Sequence, residues 1–256
     1  VDAKTIADIP TANVATSLAG RLSGVMISST TGKPGATSSL SIRAKGTTND
    51  SSPLYVIDGV VRNQEAFESL DASEVENISV LKDGASAAVY GARAANGVVL
   101  VTTKKGSTGK PVINYSGTVG FDSPTKNPET MSAYEQAIFL NHNRYQDWVD
   151  KGSDPKNRPE NQKTWYTDDE LEYLKGVNYS WLDEMWRTPL TTRHALNITG
   201  GTERVRYFIG GAYYFATGAF DNLEYNKANF RASIDANITD NFKVGLNIST
   251  DNSCLL

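Results

Sequence analysis

Over residues 229–239 apolar and polar side chains alternate without a break. Phe230, Ala232, Ile234, Ala236 and Ile238 fall on one side, and Asn229, Arg231, Ser233, Asp235, Asn237 and Thr239 on the other. A repeat of two fits an extended strand, whose successive side chains point to opposite faces. The pattern recurs. Val205, Tyr207, Ile209, Gly211, Tyr213 and Phe215 form a second apolar face, and Val244, Leu246 and Ile248 a third. Ile113, Tyr115, Val119 and Phe121 form a fourth, opposite Asn114, Ser116 and Thr118, while Leu196 and Ile198 read as a shorter fifth. The connections are tight at 200–204 and 240–242, longer at 218–227 and very long at 122–191.

Such alternation has two physical origins: a soluble antiparallel sheet with its apolar face on a core, or a transmembrane barrel with that face on lipid. Strands of about 10 residues match a tilted crossing of the hydrocarbon layer, whereas soluble strands average about 5 to 6. Tyr and Phe near several strand ends suit an interfacial girdle, and the opposite face is polar enough to line a wet lumen. No apolar run approaches the roughly 20 residues of a membrane helix, so a crossing here is made by strands. Five strands do not close around a folded domain, which takes about 22. An open edge in lipid leaves backbone groups unpaired, so the expectation is an incomplete barrel within a longer protein.

The residues before Pro111 have another character. Of 4 Trp, 12 Tyr and 8 Phe, only Tyr55, Phe67 and Tyr90 precede it. Small and β-branched residues with Gly turns prevail there, and a boundary falls in GSTGKP at 106–111. Asn13 is placed to cap a helix carrying Val14, Leu18 and Leu22, with Gly24 ending it. Strands are expected at 25–28, 40–43, 54–57, 75–81 and 98–103, with turns at Asp58-Gly59 and Asn96-Gly97 and a small helix at 85–90. This makes residues 1–110 a compact α+β unit, followed at 111–256 by the strand region with its long loop at 122–191.

Two stretches of that unit are specific. SLSIRAKGTTNDSSPLYVIDGV, residues 39–60, and ENISVLKDGASAAVYGARAANGVVLVTTKKG, residues 76–106, closely resemble the plug domain of SusC/RagA-type TonB-linked outer-membrane proteins. HALNITGGTERVRYFIGGAYYF, residues 194–215, is similar to the second and third barrel strands of the same family. The resemblance implies an α+β plug followed by antiparallel strands of an incomplete 22-stranded transmembrane barrel in the outer membrane, the plug lying within the lumen and reachable from the periplasm. It implies import of oligosaccharides, or sometimes peptides, under a SusD-like surface lipoprotein, with TonB supplying the work through a segment absent here. No cofactor and no covalent chemistry are implied.

Within that frame the loop at 122–191 faces outward. Ser132 with Glu135, and Thr167 with Glu170, form capping boxes for two helices, the first carrying Met131, Tyr134, Ile138, Tyr145, Trp148 and Val149 at helical spacing. Trp165, Tyr166, Tyr179 and Trp181 are candidates to stack on sugar rings, with Asn49 and Asp50 of the polar loop at 46–53 as further substrate candidates. The competing reading packs these aromatics onto the loop itself or onto a partner protein. Arg43, Arg62 and Arg93 are candidates to anchor the plug to acidic residues of the wall, against the commoner role of solvated surface arginines.

Other chemistries fit poorly. With 25 Lys and Arg against 29 Asp and Glu, the net charge of −4 lacks the basic excess that nucleic-acid binding requires. Cys254 is the one cysteine and His142 and His194 the two histidines, too few for a Cys- or His-built metal site or a catalytic triad. Asp168, Asp169, Glu170, Asp183 and Glu184 beside Trp residues suggest a glycosidase pair, yet helix capping explains them better. The alternative function from another class is a soluble β-rich glycan-binding or adhesin module.

Overall fold

The computed structural model describes residues 9, 11–29, 31–42, 52–83, 87–125, 129–152, 165–177 and 179–255. The chain forms two bodies, Val1–Ser123 with Arg187–Leu256, and Pro124–Trp186.

In the first body, helix α1 (Val14–Ser17) precedes the antiparallel pair β1 (Val25–Ser29) and β2 (Ser38–Ile42). A four-stranded sheet follows, ordered β4-β3-β6-β5, from β3 (Leu54–Ile57), β4 (Val60–Arg62), β5 (Val75–Leu81) and β6 (Val98–Thr103). β3 and β6 run parallel. LYVI and VVLV in these strands do not alternate because both faces are covered. Tyr55, Ile57, Val99 and Val101 join a core with Leu18, Leu40, Phe67 and Ile78, and Leu54, Val56 and Val98 pack with Ala87 and Ala94. Asp58 and Gly59 both take positive φ, 50° and 83°, in a two-residue turn that brings β4 back antiparallel onto β3. Helix α2 (Gln64–Glu68) is capped by Asn63, whose side chain accepts from the Ala66 amide at 3.0 Å.

Three local expectations are corrected. α1 ends at Ser17 and continues as turns to Gly24 (φ 68°), and the Asn13 side chain makes no capping bond to it, its Nδ2 donating to the Ala36 carbonyl at 2.7 Å. Of the helix expected at 85–90, residues 84–86 lie outside the described residues, and Ala88–Tyr90 is a 3-10 turn. β4 was not anticipated, since three residues are too few to show a period.

The longer strands are β7 (Gly109–Phe121), β8 (Leu190–Gly201), β9 (Val205–Thr217), β10 (Glu224–Thr239) and β11 (Phe242–Leu255). They form one antiparallel meander in chain order, each strand 12 to 16 residues long. All exceed the expected length. β8 was legible only near Leu196 and Ile198 because Thr192 and His194 interrupt its outward apolar series. β11 runs on through Asp251, Asn252 and Ser253, where β10 still supplies backbone partners although no apolar face remains.

One face of this sheet is exposed and apolar, carrying Ile113, Tyr115, Ile209, Tyr213, Phe230, Ile234, Leu246 and Ile248. The apolar band crosses the strands obliquely. The row Ile113, Ile198, Ile209, Ala232, Ile248 is apolar on all five strands. The row Val119, Thr192, Phe215, Asn226, Cys254 begins apolar on β7, is polar at Asn226 on β10, and on β11 falls at Cys254, beyond Thr250 and Asn252, which end the aliphatic series of that face. On β11 the band therefore stops at Ile248, six residues below the row in which Val119 is still apolar. Six residues over four strand steps, at about 3.3 Å per residue and about 4.8 Å per step, is a slope of about 45°, the tilt of strands in a transmembrane barrel.

In the second body, α3 (Ala133–Asp150) and α4 (Asp168–Leu174) both begin with complete capping boxes, Ser132 with Glu135 and Thr167 with Glu170. A short α5 (Trp181–Met185), not anticipated, is capped by Ser180. Asn141 of α3 clamps the Tyr166 backbone, donating to its carbonyl at 2.8 Å and accepting from its amide at 2.9 Å.

Candidate functional site: the polar seam between plug and strands

The other face of the long sheet lies against the α+β unit, and cations from its strands carry the contact. Arg193 of β8, 2% exposed, grips Asp71 with both arms, Nε to Oδ2 at 3.0 Å and a terminal nitrogen to Oδ1 at 2.5 Å. Asp71 precedes a 3-10 turn (Ala72–Glu74) and also accepts from the Ser73 amide at 2.7 Å and the Ser73 hydroxyl at 2.5 Å. Burial pushes the Asp71 carboxyl up, but the Arg193 bonds and charge and the Ser73 donors together hold it below its ordinary value.

Arg231 of β10 donates to Asp58 Oδ2 and to Thr103 Oγ1, both at 2.6 Å. Asp58 is positioned by the β3–β4 turn, where it also accepts from the Thr103 amide at 2.9 Å and the Thr103 hydroxyl at 2.7 Å. Lys227 of β10 meets carbonyls instead: Ala12 at 2.9 Å, Glu68 at 2.8 Å and Leu70 at 3.3 Å. The last two lie at the C-terminal end of α2, where helix carbonyls lack internal partners. Asn229 donates to the Ser69 carbonyl. Between these contacts, β10, β11 and the α+β unit enclose a cavity of about 380 Å³ lined by Asp58, Arg62, Glu74, Arg231, Asn247 and Asp251 among others. Glu74, 2% exposed, is raised to about 7 by burial and then by the Asp71 charge, against the pull of Arg231 and Lys227.

Close approach is built in elsewhere. Gly35 takes φ 73°, and the Tyr225 ring of β10 occupies the space a Cβ would need.

The candidates singled out in the sequence distribute as follows. Arg43, Asn49 and Asp50 lie outside the described residues. Arg62, on β4 at the edge of the cavity, and Arg93, in a 3-10 turn, are exposed, and neither has an ion-pair partner among the described residues. The buried ion pairs of the seam run the other way, from strand cations to plug carboxylates. Trp165 is only 8% exposed and meets the Tyr145 ring edge-on at 6.5 Å, inside its own body. Tyr166 lies under the Arg144 guanidinium at 5.8 Å. Tyr179 and Trp181 form an exposed edge-to-face pair at 5.0 Å, with Trp181 69% exposed. Glu170 closes a capping box and Asp168 and Asp169 fill the first turn of α4.

Sequence reasoning missed Arg193 and Lys227 and read Arg231 only as one polar position among others. A usable signal existed: long basic side chains on strand faces otherwise made of Thr, Asn, Ser and Ala.

Similarities to known proteins agree with this geometry. The TonB-dependent Receptor Plug Domain family matches residues 1–98. TonB-dependent receptor SusC of Bacteroides thetaiotaomicron is 30% identical over 234 residues, 88% of this chain and 21% of SusC. TonB-dependent receptor P3 of Formosa agariphila is 30% identical over 243 residues, 93% of this chain and 21% of that protein. The chain thus spans about a fifth of the curated relatives it matches. Among solved structures, the RagAB peptide importer in its closed-closed state superposes with a TM-score of 0.81 at 25% identity, over 99% of this chain and 30% of that one. The siderophore receptor PirA from Acinetobacter baumannii shares the fold at a TM-score of 0.60 and 17% identity, over 100% of this chain and 31% of that one. A plug sheet seated on tilted strands, together with sequence likeness running through both, assigns the chain to the SusC/RagA type of TonB-dependent receptors.

Proposed function

We propose that the chain is the plug and opening wall of an outer-membrane importer that takes up nutrient oligosaccharides or peptides, with energy supplied through TonB and a SusD-like lipoprotein closing over the outer mouth. The observation that carries the reading is the pairing of two unlike faces on one sheet: an apolar band slanted at about 45° outward, and buried cations holding a folded domain inward. The first suits lipid and the second suits a gated, water-lined lumen. A soluble adhesin has no use for an exposed apolar band of this extent. Residues 1–110 act as the plug and 111–256 as the first part of the barrel, with the loop at 122–191 on the extracellular side.

The peptide half of the alternative is supported by the likeness to RagAB, a peptide importer, and the oligosaccharide half is what the SusC/RagA resemblance implies. Tyr179 and Trp181 are the aromatics free to meet either kind of cargo, since Trp165 and Tyr166 serve their own body's packing. Asn49 and Asp50 are proposed as further cargo contacts, and Arg43, Arg62 and Arg93 as anchors of the plug.

The test is uptake by cells carrying the complete receptor, supplied with fluorescent oligosaccharide and oligopeptide pools. Accumulation of one pool that disappears when tonB is deleted is the expected result; uptake indifferent to TonB removes the reading. Tyr179→Ala and Trp181→Ala should each weaken cargo binding roughly 2- to 10-fold, the worth of one aromatic contact.

A further inference from the structure

Among the described residues three cations enter the seam, and two of them meet carboxylates. Arg193 holds Asp71 and Arg231 holds Asp58, while Lys227 is held by the Ala12, Glu68 and Leu70 carbonyls alone. Glu74 is the complement of that mismatch. Its side chain is buried, its Oε1 has no hydrogen-bond partner, and among the described residues no cation lies within ion-pair distance of it. The charged groups around it are Asp71 from its own segment, Arg231 and Lys227 from β10, and Asp251 from β11. Glu74 lines the 380 Å³ cavity together with Arg231, whose Nε is likewise unpartnered, and the wall opposite is polar, with Asn247, Ser249 and Asp251. A polar cavity of this size admits water, each molecule taking about 30 Å³. A proton therefore has a route to the carboxyl while the plug is seated.

We infer that Glu74 is a proton-binding site of the plug's seat, holding a proton while the plug lies against β10 and β11 and releasing it when the plug moves off, so that rising pH loosens the seat. An ionised carboxylate here is buried, with Oε1 unpartnered, and lies near the Asp71 charge; a neutral one removes the charge that burial penalises. The sign follows from linkage. Seated, the group sits at about 7; free in water it returns to about 4.5. Its contribution to seating is complete below the lower value and is lost as pH rises through the higher one. Glu74 and Arg231, each with a buried polar atom left unpartnered, line the same cavity, which ties the site to this seam.

The inference rests on the plug-in-barrel reading, and conductance separates the two. The complete receptor in a planar bilayer, with urea added to displace the plug, should open more readily at about pH 8 than at about pH 5.5, by roughly tenfold or more in the open fraction. Glu74→Gln should abolish that dependence. A wild-type receptor indifferent to pH over this range, or Glu74→Gln retaining the full rise, overturns the inference. Should Glu74→Gln fail to assemble, Asp251→Asn on β11 serves instead. Removing that neighbouring negative charge should move the opening transition to lower pH, and an unmoved transition overturns the inference as well. A receptor lacking residues 1–110 that conducts no ions would instead remove the barrel reading itself.

Discussion

Arg193 and Asp71 bring opposite charges into a place that water does not reach. Two desolvated ions are tolerated there because the pairing is bidentate and Ser73 adds an amide and a hydroxyl donor to Asp71 Oδ1. Such a pair adds little over an apolar replacement of the same shape, but removing one partner strands the other. Arg193→Ala should weaken plug seating by about 3–5 kcal/mol, whereas adding Asp71→Ala on top should recover a large part of that loss. The urea midpoint for plug displacement in the whole receptor reads both. If the double variant is no more stable than Arg193→Ala alone, the two charges are not a coupled pair. The same residue-level logic explains why Asp71 and Glu74, one turn apart, end on opposite sides of their ordinary values although burial raises both: the first has a cation at 2.5 Å and the second has none within bonding distance among the described residues.

At the scale of the strand, orientation decides what a substitution does. On β10, Ile234 belongs to the exposed apolar face and Asp235 to the inner one, next to each other in sequence and on opposite sides of the sheet. Ile234→Lys should cost about 2–4 kcal/mol if it lies near the bilayer midplane, lowering the amount of receptor assembled in the outer membrane, while Asp235→Lys should leave assembly nearly intact. Equal losses from the two would contradict lipid contact. Period two made this much legible in the sequence: four of the five long strands, and on each the residues that face outward. The capping boxes at Ser132 and Thr167 were legible for a similar reason, because both partners lie within four residues of each other. What local pattern does not encode is pairing across distance. Lys227 reaches Ala12 over 215 positions and Arg193 reaches Asp71 over 122, so the seam was invisible although every residue in it was in view. Trp165 shows the converse error, where an aromatic in a polar loop looks available and is in fact packed against Tyr145.

At the scale of the whole molecule, the slant of the apolar band is a geometric claim about the membrane. Ile113, Ile209 and Ile248 lie in one row across the sheet, but the band starts at Ile113 on β7, is centred near Ile209 on β9 and ends at Ile248 on β11. If the band follows the bilayer, the row must cross it obliquely. Four strand steps of about 4.8 Å at a tilt of about 45° separate its ends by about 14 Å in depth, roughly half the hydrocarbon thickness. Fluorophores attached through cysteine at these three positions in the complete receptor, in a background cleared of other cysteines including Cys254→Ser, report this directly. The label at position 209 should be quenched best by lipids carrying a nitroxide deep in the acyl chain, and those at 113 and 248, each about 7 Å from that depth on its own side, by lipids carrying it partway along the chain. A strand sheet standing upright gives one depth for all three. A sheet whose apolar face packs on protein gives no lipid quenching at any of them, and only the oblique pattern requires both lipid contact and the tilt that lets further strands continue the wall around the plug.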